Sequence, residues 1–273
     1  MRIAFFGDIV GRAGRDAIAD HLPRLRADLR LDFVIANAEN AAGGYGLTEA
    51  IAKDLFGHGC DALTLGNHSW DQREALTYIE REQRLIRPCN YPPSSPAPGR
   101  GAQLFDLPSG QRVLVINVLG RLFMDSLDDP FSAVEREVAS APLGEVADAV
   151  IIDVHAEATS EKQAMGCHFD GRASLVVGSH THVPTADTRI MPGGTAFQTD
   201  AGMCGDYDSV IGMKKEISVK KFITRLPTER NTPAEGVPTL AGVFVETNPR
   251  TGLAIRMEPI RIGGALNETV PTV

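Results

Sequence analysis

Arg2-Ile3-Ala4-Phe5-Phe6-Gly7-Asp8-Ile9-Val10-Gly11 opens the chain. An apolar run that closes on glycine reads as a buried strand, Arg2–Gly7. The flanking glycines allow tight turns and leave the Asp8 carboxylate exposed at the strand's end. The same grammar then repeats. Asp16–Leu29 carries Ile18, Leu22, Leu25 and Leu29 at helical spacing, with Pro23 expected to break or kink it. Phe33–Ala38 reads as a strand, and Thr48–Phe56 as a helix capped by Thr48. Ala62–Gly66 is a third strand and Asp71–Glu82 a third helix. This β-α-β-α-β order predicts parallel strands joined by right-handed crossovers.

Beyond it the pattern changes. Pro88–Gly101 is rich in proline, serine and glycine and reads as irregular loop. Gln103–Leu107 and Arg112–Val118 flank Pro108-Ser109-Gly110-Gln111 and read as an antiparallel hairpin. Asp129–Ala139 and Ser160–Met165 read as helices, Ala149–Val154 and Ala173–Val177 as buried strands. Thr195–Thr199, Ile217–Leu226, Leu240–Thr247 and Ile255–Ile262 read as further strands, Val219–Leu226 alternating only loosely. So strand-rich a C-terminal third implies a second sheet packed on the first. No internal repeat or linker divides the chain, and residues 1–273 are expected to form a single α/β domain.

A chain of 273 residues, 43% hydrophobic and 23% charged, can bury a sizeable core without disulfide or metal staples. Its net charge of −8 argues against a large nucleic-acid interface. A small phosphate substrate stays open, since bound metals can reverse the local sign. Cys60, Cys89, Cys167 and Cys204 form no C-x-x-C pair, which disfavours a structural zinc knuckle and fits reduced thiols in the cytosol. No signal-peptide pattern precedes the first strand, and no apolar run approaches the roughly 18–20 residues that span a bilayer. A cytoplasmic protein without membrane contact is expected. A homo-oligomer is compatible with the sequence, which carries no diagnostic stripe.

Ligand-type residues collect where strands end. Asp8 follows the first strand, and Glu39 and Asn40 follow the second in Asn37-Ala38-Glu39-Asn40. Asn67 and His68 follow the third in Gly66-Asn67-His68-Ser69-Trp70-Asp71. His155 follows Ala149–Val154, and His180 and His182 follow Ala173–Val177 in Gly178-Ser179-His180-Thr181-His182-Val183. Sites in α/β proteins form at the carboxyl ends of strands. Each residue has a blander reading alone: Asp8 and Asp71 as helix caps, Asn37 in an Asx-turn, His155 as a hydrogen-bonded core histidine. Together they supply mixed oxygen and imidazole donors that suit iron, manganese or zinc. They exceed what one tetrahedral ion needs and suit two ions about 3.5–4 Å apart, the usual device for hydrolysing phosphate esters. His21 reads as a surface residue, His58 as a helix-end residue, His168 as either a surface or a pocket residue, and Trp70 as packing near the site.

The ordered set Gly-Asp, Glu/Asn, Gly-Asn-His, His and His-x-His resembles the calcineurin-like metallophosphoesterases. Finer matches resemble their bacterial YmdB-type subfamily, related to 2′,3′- and 3′,5′-cyclic-nucleotide phosphodiesterases. They are Gly7–Gly11, Asn37–Asn40, His155–Lys162 and Thr199-Asp200-Ala201-Gly202-Met203-Cys204-Gly205. The likeness runs over nearly the whole chain. It implies a four-layer α-β-β-α sandwich, two mixed sheets face to face with helices outside. It also implies one metal on Asp8, Glu39, Asn40 and His182 and a second on Glu39, Asn67, His155 and His180. A hydroxide between them would be the nucleophile, with His68 as the catalytic proton donor or phosphate contact. Two divalent or mixed-valence ions are implied, iron first, with manganese or zinc as alternatives. The chain departs from the wider superfamily in having Asp8-Ile9-Val10 where Asp-x-His is usual, and Glu39 where the bridging residue is usually Asp. Asn40 then stands in for the missing histidine. By the same likeness, the backbone around Gly202, Met203 and Gly205 walls the metals.

The expected function is phosphodiester hydrolysis of a small substrate, a cyclic nucleotide such as 2′,3′-cAMP or 3′,5′-cAMP. The alternative is a regulatory protein that keeps the metals on the same fold with little turnover. A metal-dependent amidohydrolase is disfavoured, because those barrels carry His-x-His on their first strand.

Overall fold

The computed structural model describes residues 1–272. In chain order the N-terminal half contains β1 (Arg2–Phe6), β2 (Asp8–Ile9), α1 (Gly11–Asp28), β3 (Phe33–Asn37), α2 (Glu49–Gly57), β4 (Ala62–Thr64), α3 (Ala75–Arg81), β5 (Leu85–Ile86), β6 (Ala102–Asp106), β7 (Arg112–Leu119) and α4 (Pro130–Ser140). The remainder contains β8 (Ala149–His155), α5 (Thr159–Phe169), β9 (Leu175–Ser179), β10 (Arg189–Ile190), β11 (Ala196–Gln198), β12 (Met203–Asp206), α6 (Lys215–Thr224), β13 (Pro238–Thr247) and β14 (Ala254–Ile262).

Two mixed sheets result. The first runs β2-β12-β13-β1-β3-β4-β5, with β14 also paired to β13. The second runs β10-β11-β9-β8-β7-β6. Pairing of β1 with β3, β3 with β4 and β4 with β5 is parallel, as the alternating strand and helix order requires. β6 and β7 form the expected antiparallel hairpin, and β7, β8 and β9 are parallel.

Strand periodicity explains the layers. In β1, Ile3 and Phe5 point into the space between the sheets, while Ala4 and Phe6 face α1. Phe33 and Ile35 repeat this against Val34 and Ala36 in β3. On the second sheet Val113, Val115, Ala149 and Ile151 meet the first, and Leu114, Ile116, Val150 and Ile152 lie under α4 and α5. The central strands β1, β3, β7 and β8 therefore bury both faces, at about 1.5–3 kcal/mol for each large apolar side chain. The four-layer α-β-β-α sandwich follows from this double burial.

Three local expectations are corrected. α1 begins at Gly11 and continues through Pro23. The proline sits on the exposed face, while Leu22 and Leu25 pack on the sheet and hold the helix across it. Ile217–Leu226 is not a strand, since α6 covers Lys215–Thr224 and ends at Arg225 in the left-handed region. Val219, Phe222, Ile223 and Leu226 recur at i, i+3, i+4 and i+7, a helical spacing that outweighs the loose alternation. Asp71 does not cap a helix, because α3 starts only at Ala75.

Candidate metal centre

The parallel strands of both sheets deliver their carboxyl ends to one place. Asp8, Glu39, Asn40, Asn67, His155, His180 and His182 all meet there, although they span the chain from residue 8 to residue 182. Asp8 and His155 are fully buried, and Glu39, Asn40 and His182 nearly so.

His155 lies at the centre. Its Nδ1 is 2.9 Å from Ser179 Oγ, and that hydroxyl donates to Asp153 Oδ1 at 2.6 Å. Ser179 must therefore accept from Nδ1–H, which turns the Nε2 lone pair inward. Around Nε2 lie Asn67 Oδ1 at 2.9 Å, Glu39 Oε1 at 3.1 Å and His180 Nδ1 at 3.2 Å. His180 Nε2 is 3.2 Å from Glu157 Oε2, a carboxylate that only accepts, so its Nδ1 also presents a lone pair. With His155 neutral, four acceptors face one another with no donor between them, an arrangement that a cation would satisfy. Ligating atoms of Glu39, His155 and His180 all lie within 4.8 Å of one another.

The second half of the site shows the same need. Asp8 Oδ1 is buried without a hydrogen-bond partner. It lies 3.8 Å from His182 Nε2 and 3.9 Å from His155 Nδ1. His182 Nδ1 is 2.8 Å from the Ile211 carbonyl, which fixes the proton there and leaves Nε2 as an acceptor facing Asp8. The Asn40 amide sits 3.1 Å from Glu39 Oε1 and 3.2 Å from His182 Nε2, and its nitrogen and oxygen are nearly isosteric. An orphaned buried carboxylate oxygen, inward lone pairs and hard donors without thiolate fit divalent ions.

The carboxyl and imidazole groups of the site shift one another's protonation. Burial pushes Asp8 up to about 6, against the pull of His182 and His155. Burial also opposes charge on Glu39 and His155, but each outweighs that penalty for the other, holding the carboxyl low and the imidazole high. Burial, with His155 beside it, presses His180 down to about 3, so its ring is neutral and free to ligate.

Geometry elsewhere exists to hold this arrangement. His180 and His182 adopt φ of +92° and +65°, a strained region for residues with a Cβ. Their turn is pinned from both sides. Asp8 Oδ2 accepts from the His180 N–H at 3.0 Å, and Asp200 Oδ2 accepts from the Thr181 N–H at 3.1 Å and its hydroxyl at 2.6 Å. Asp200 is fixed in turn by fully buried Lys162 at 2.7 Å. Asp153, beneath His155, accepts from Thr64, Asn37, Asn117 and Ser179. Asn37 also makes the Asx-turn, accepting from the Glu39 N–H at 3.1 Å. At Gly66 a Cβ would collide with Glu39 Oε2 and the His155 ring. β12 pairs Met203 with Asp8, and the Gly202 carbonyl accepts from the Asp8 N–H, so this backbone flanks the site as the likeness implies.

His68 stands at the rim. Its N–H donates to Glu39 Oε2 at 2.9 Å, and its Nδ1 is 2.8 Å from Asp71 Oδ2. Asp71 thereby orients the ring, a role missed in reading it as a cap. Asp153 and Ser179 were missed as well. An ionisable residue inside Ala149-Val150-Ile151-Ile152-Asp153-Val154 was the available signal. His58, at the end of α2, and His168, at the end of α5, pair with Asp54 and Glu135 away from the site.

Comparison with known proteins finds relatives over nearly the whole chain. A family model described as YmdB-like protein matches residues 4–260. A 2′,3′-cyclic-nucleotide 2′-phosphodiesterase of Bacillus subtilis (strain 168) is 47% identical over 262 residues, covering 96% of this chain and 97% of the relative. The crystal structure of a hypothetical protein from Thermus thermophilus superposes with a TM-score of 0.89 at 41% identity, covering 97% of this chain and 100% of that one. A novel phosphatase from Mycoplasma pneumoniae gives a TM-score of 0.89 at 35% identity, covering 96% and 93%.

Proposed function

The chain belongs to the YmdB-like family and is an enzyme of phosphodiesterase or phosphatase type, and from that premise we propose that it is a binuclear metal-dependent phosphodiesterase acting on 2′,3′-cyclic nucleotides. The observation that carries the metal claim is the ring of acceptors around His155 Nε2 together with the orphaned Asp8 Oδ1. One ion would be held by Asp8, Glu39, Asn40 and His182, the other by Glu39, Asn67, His155 and His180, with Glu39 shared. Bound there, divalent ions supply positive charge to the phosphoryl oxygens and acidify water. Oxygen and imidazole donors favour iron, manganese or zinc, with iron first.

The protein's own groups do the rest. Water's oxygen forms a new bond to phosphorus and gives up a proton to solvent, while the bond from phosphorus to one ribose oxygen breaks. His68, its Nδ1–H held by Asp71, gives a proton at Nε2 to the departing ribose oxygen. Buried Ser179 and Asp153 keep His155 in one tautomer throughout. Both sheets contribute to the site, so neither half could form it alone, which supports residues 1–273 acting as one domain. Among the described residues no helix is long and apolar enough to cross a membrane. The scattered free thiols support a cytoplasmic location.

The substrate named for the Bacillus relative supports the 2′,3′ ring. Enzyme reconstituted with Mn²⁺ or Fe²⁺ should be assayed on 2′,3′-cAMP, 3′,5′-cAMP and bis-p-nitrophenyl phosphate. The expected result is hydrolysis with 2′,3′-cAMP preferred. A metal-loaded protein that turns over none of the three would overturn the proposal.

A further inference from the structure

The overall charge of −8 hides a local reversal. Residues 214–230, Lys-Lys-Glu-Ile-Ser-Val-Lys-Lys-Phe-Ile-Thr-Arg-Leu-Pro-Thr-Glu-Arg, carry six cations against two carboxylates, a surplus of four positive charges. Among the described residues only Lys215 of the six makes an ion pair, with Asp208. Interleaved with the free cations are large exposed apolar side chains: Phe222 at 67%, Ile223 at 76% and Leu226 at 65% of full exposure.

This segment borders the metal centre on two sides. Arg230 stacks its guanidinium 4.9 Å from the centre of the Tyr45 ring, and Tyr45 meets the His68 ring edge-on at 5.3 Å. One cavity is lined by Tyr45, Lys221, Leu226 and Arg230. A neighbouring one shares Lys221 and Leu226 and adds Phe222, Arg225 and Ile211, whose carbonyl holds His182. Tyr45 and Ile211 thus connect His68 and His182 to the cavities along α6.

Resting on the reading of the site as a 2′,3′-cyclic phosphodiesterase, we propose that residues 214–230 are a binding arm for single-stranded RNA. The substrate is then the 2′,3′-cyclic phosphate at the end of an oligoribonucleotide rather than a free mononucleotide. A cyclic phosphate at a strand's 3′ end leaves the rest of the strand on the 5′ side of the same ribose, and the arm receives it. Unpaired cations meet the phosphates, and exposed Phe222 offers a face for a base. Charge decides the occupant. A second copy docking this face two-fold would set four surplus positive charges against four, whereas RNA neutralises them.

Binding is measured by fluorescence anisotropy with holoenzyme and a labelled oligoribonucleotide of about eight bases ending in a 3′-phosphate, which has no cyclic phosphate to open. If Lys220, Lys221, Arg225 and Arg230 each neutralise one phosphate, log Kd changes with log salt at a slope of about 2.8. Affinity then falls about 50-fold between roughly 50 and 200 mM salt. The triple variant Lys220→Glu, Lys221→Glu, Arg225→Glu, its fold checked by thermal unfolding, should lose most of that dependence. Its kcat/KM on cyclic-phosphate-ended RNA relative to 2′,3′-cAMP should drop at least tenfold. Salt-independent binding, or an unchanged ratio, overturns the arm while leaving the phosphodiesterase reading intact. RNA binding with the expected slope but no hydrolysis of any diester supports the arm and sinks that reading. A wild type that self-associates through this face, with the triple variant monomeric and no weaker on RNA, also overturns the arm.

Discussion

Gly66→Ala adds one methyl group at the floor of the metal centre. Gly66 has no left-handed backbone to defend, so the cost is purely one of space. The new Cβ would lie closer to Glu39 Oε2 and to the His155 ring than non-bonded atoms allow. Neither neighbour can yield freely. Glu39 is tied to the His68 N–H at 2.9 Å and to Asn40 at 3.1 Å, and His155 to Ser179 at 2.9 Å. Relief requires about 1 Å of movement, which costs roughly 1–3 kcal/mol of stability as overpacking. The melting temperature should fall by about 2–4 °C for each kcal/mol. Catalysis should suffer more, because a misplacement of about 1 Å at a reacting centre costs on the order of 100-fold. Gly57→Ala is the control. Nothing lies within 4 Å of its added Cβ at the last residue of α2, and its stability should change little. Calorimetry, elemental analysis and diester hydrolysis should be run on both variants. Full metal content, wild-type kcat and unchanged melting in Gly66→Ala would refute the claim that Glu39 and His155 are held in place.

Lys162→Met leaves Asp200 buried without its cation and should lower stability by about 3–5 kcal/mol in chemical denaturation; a loss within experimental error would show that Asp200 needs no counter-charge. Ser179→Ala removes the acceptor that fixes the His155 tautomer, and metal affinity by titration calorimetry should weaken about 10–100-fold. His68→Ala should keep its metals yet lose about 100- to 10,000-fold in kcat, and metal loss instead would make it a ligand. Asp71→Asn should lower kcat with KM unchanged, since it acts on substrate only through the His68 ring.

Much of this was legible in the sequence because strands buried on both faces leave little ambiguity. Arg2–Gly7, Phe33–Ala38 and Ala62–Gly66 sit where their apolar runs predict, and the two facing sheets with helices outside follow the expected sandwich. The residues of the site could be gathered from their places at strand ends. Their supports could not, because Asp153, Ser179 and the Lys162–Asp200 pair act through contacts between segments far apart in sequence. α6 was misread for a different reason: its apolar residues are exposed, and periodicity reports a face without saying what covers it.

The central claim is that these side chains hold two ions for phosphodiester hydrolysis. Elemental analysis of wild type and Glu39→Gln, each reconstituted with Mn²⁺ or Fe²⁺ and assayed on 2′,3′-cAMP, tests it most directly. About two ions per wild-type chain, with both metal and turnover lost in the variant, is the result expected of a shared carboxylate. A folded wild type that binds no ion after reconstitution, or a variant with full metal content and turnover, would contradict it.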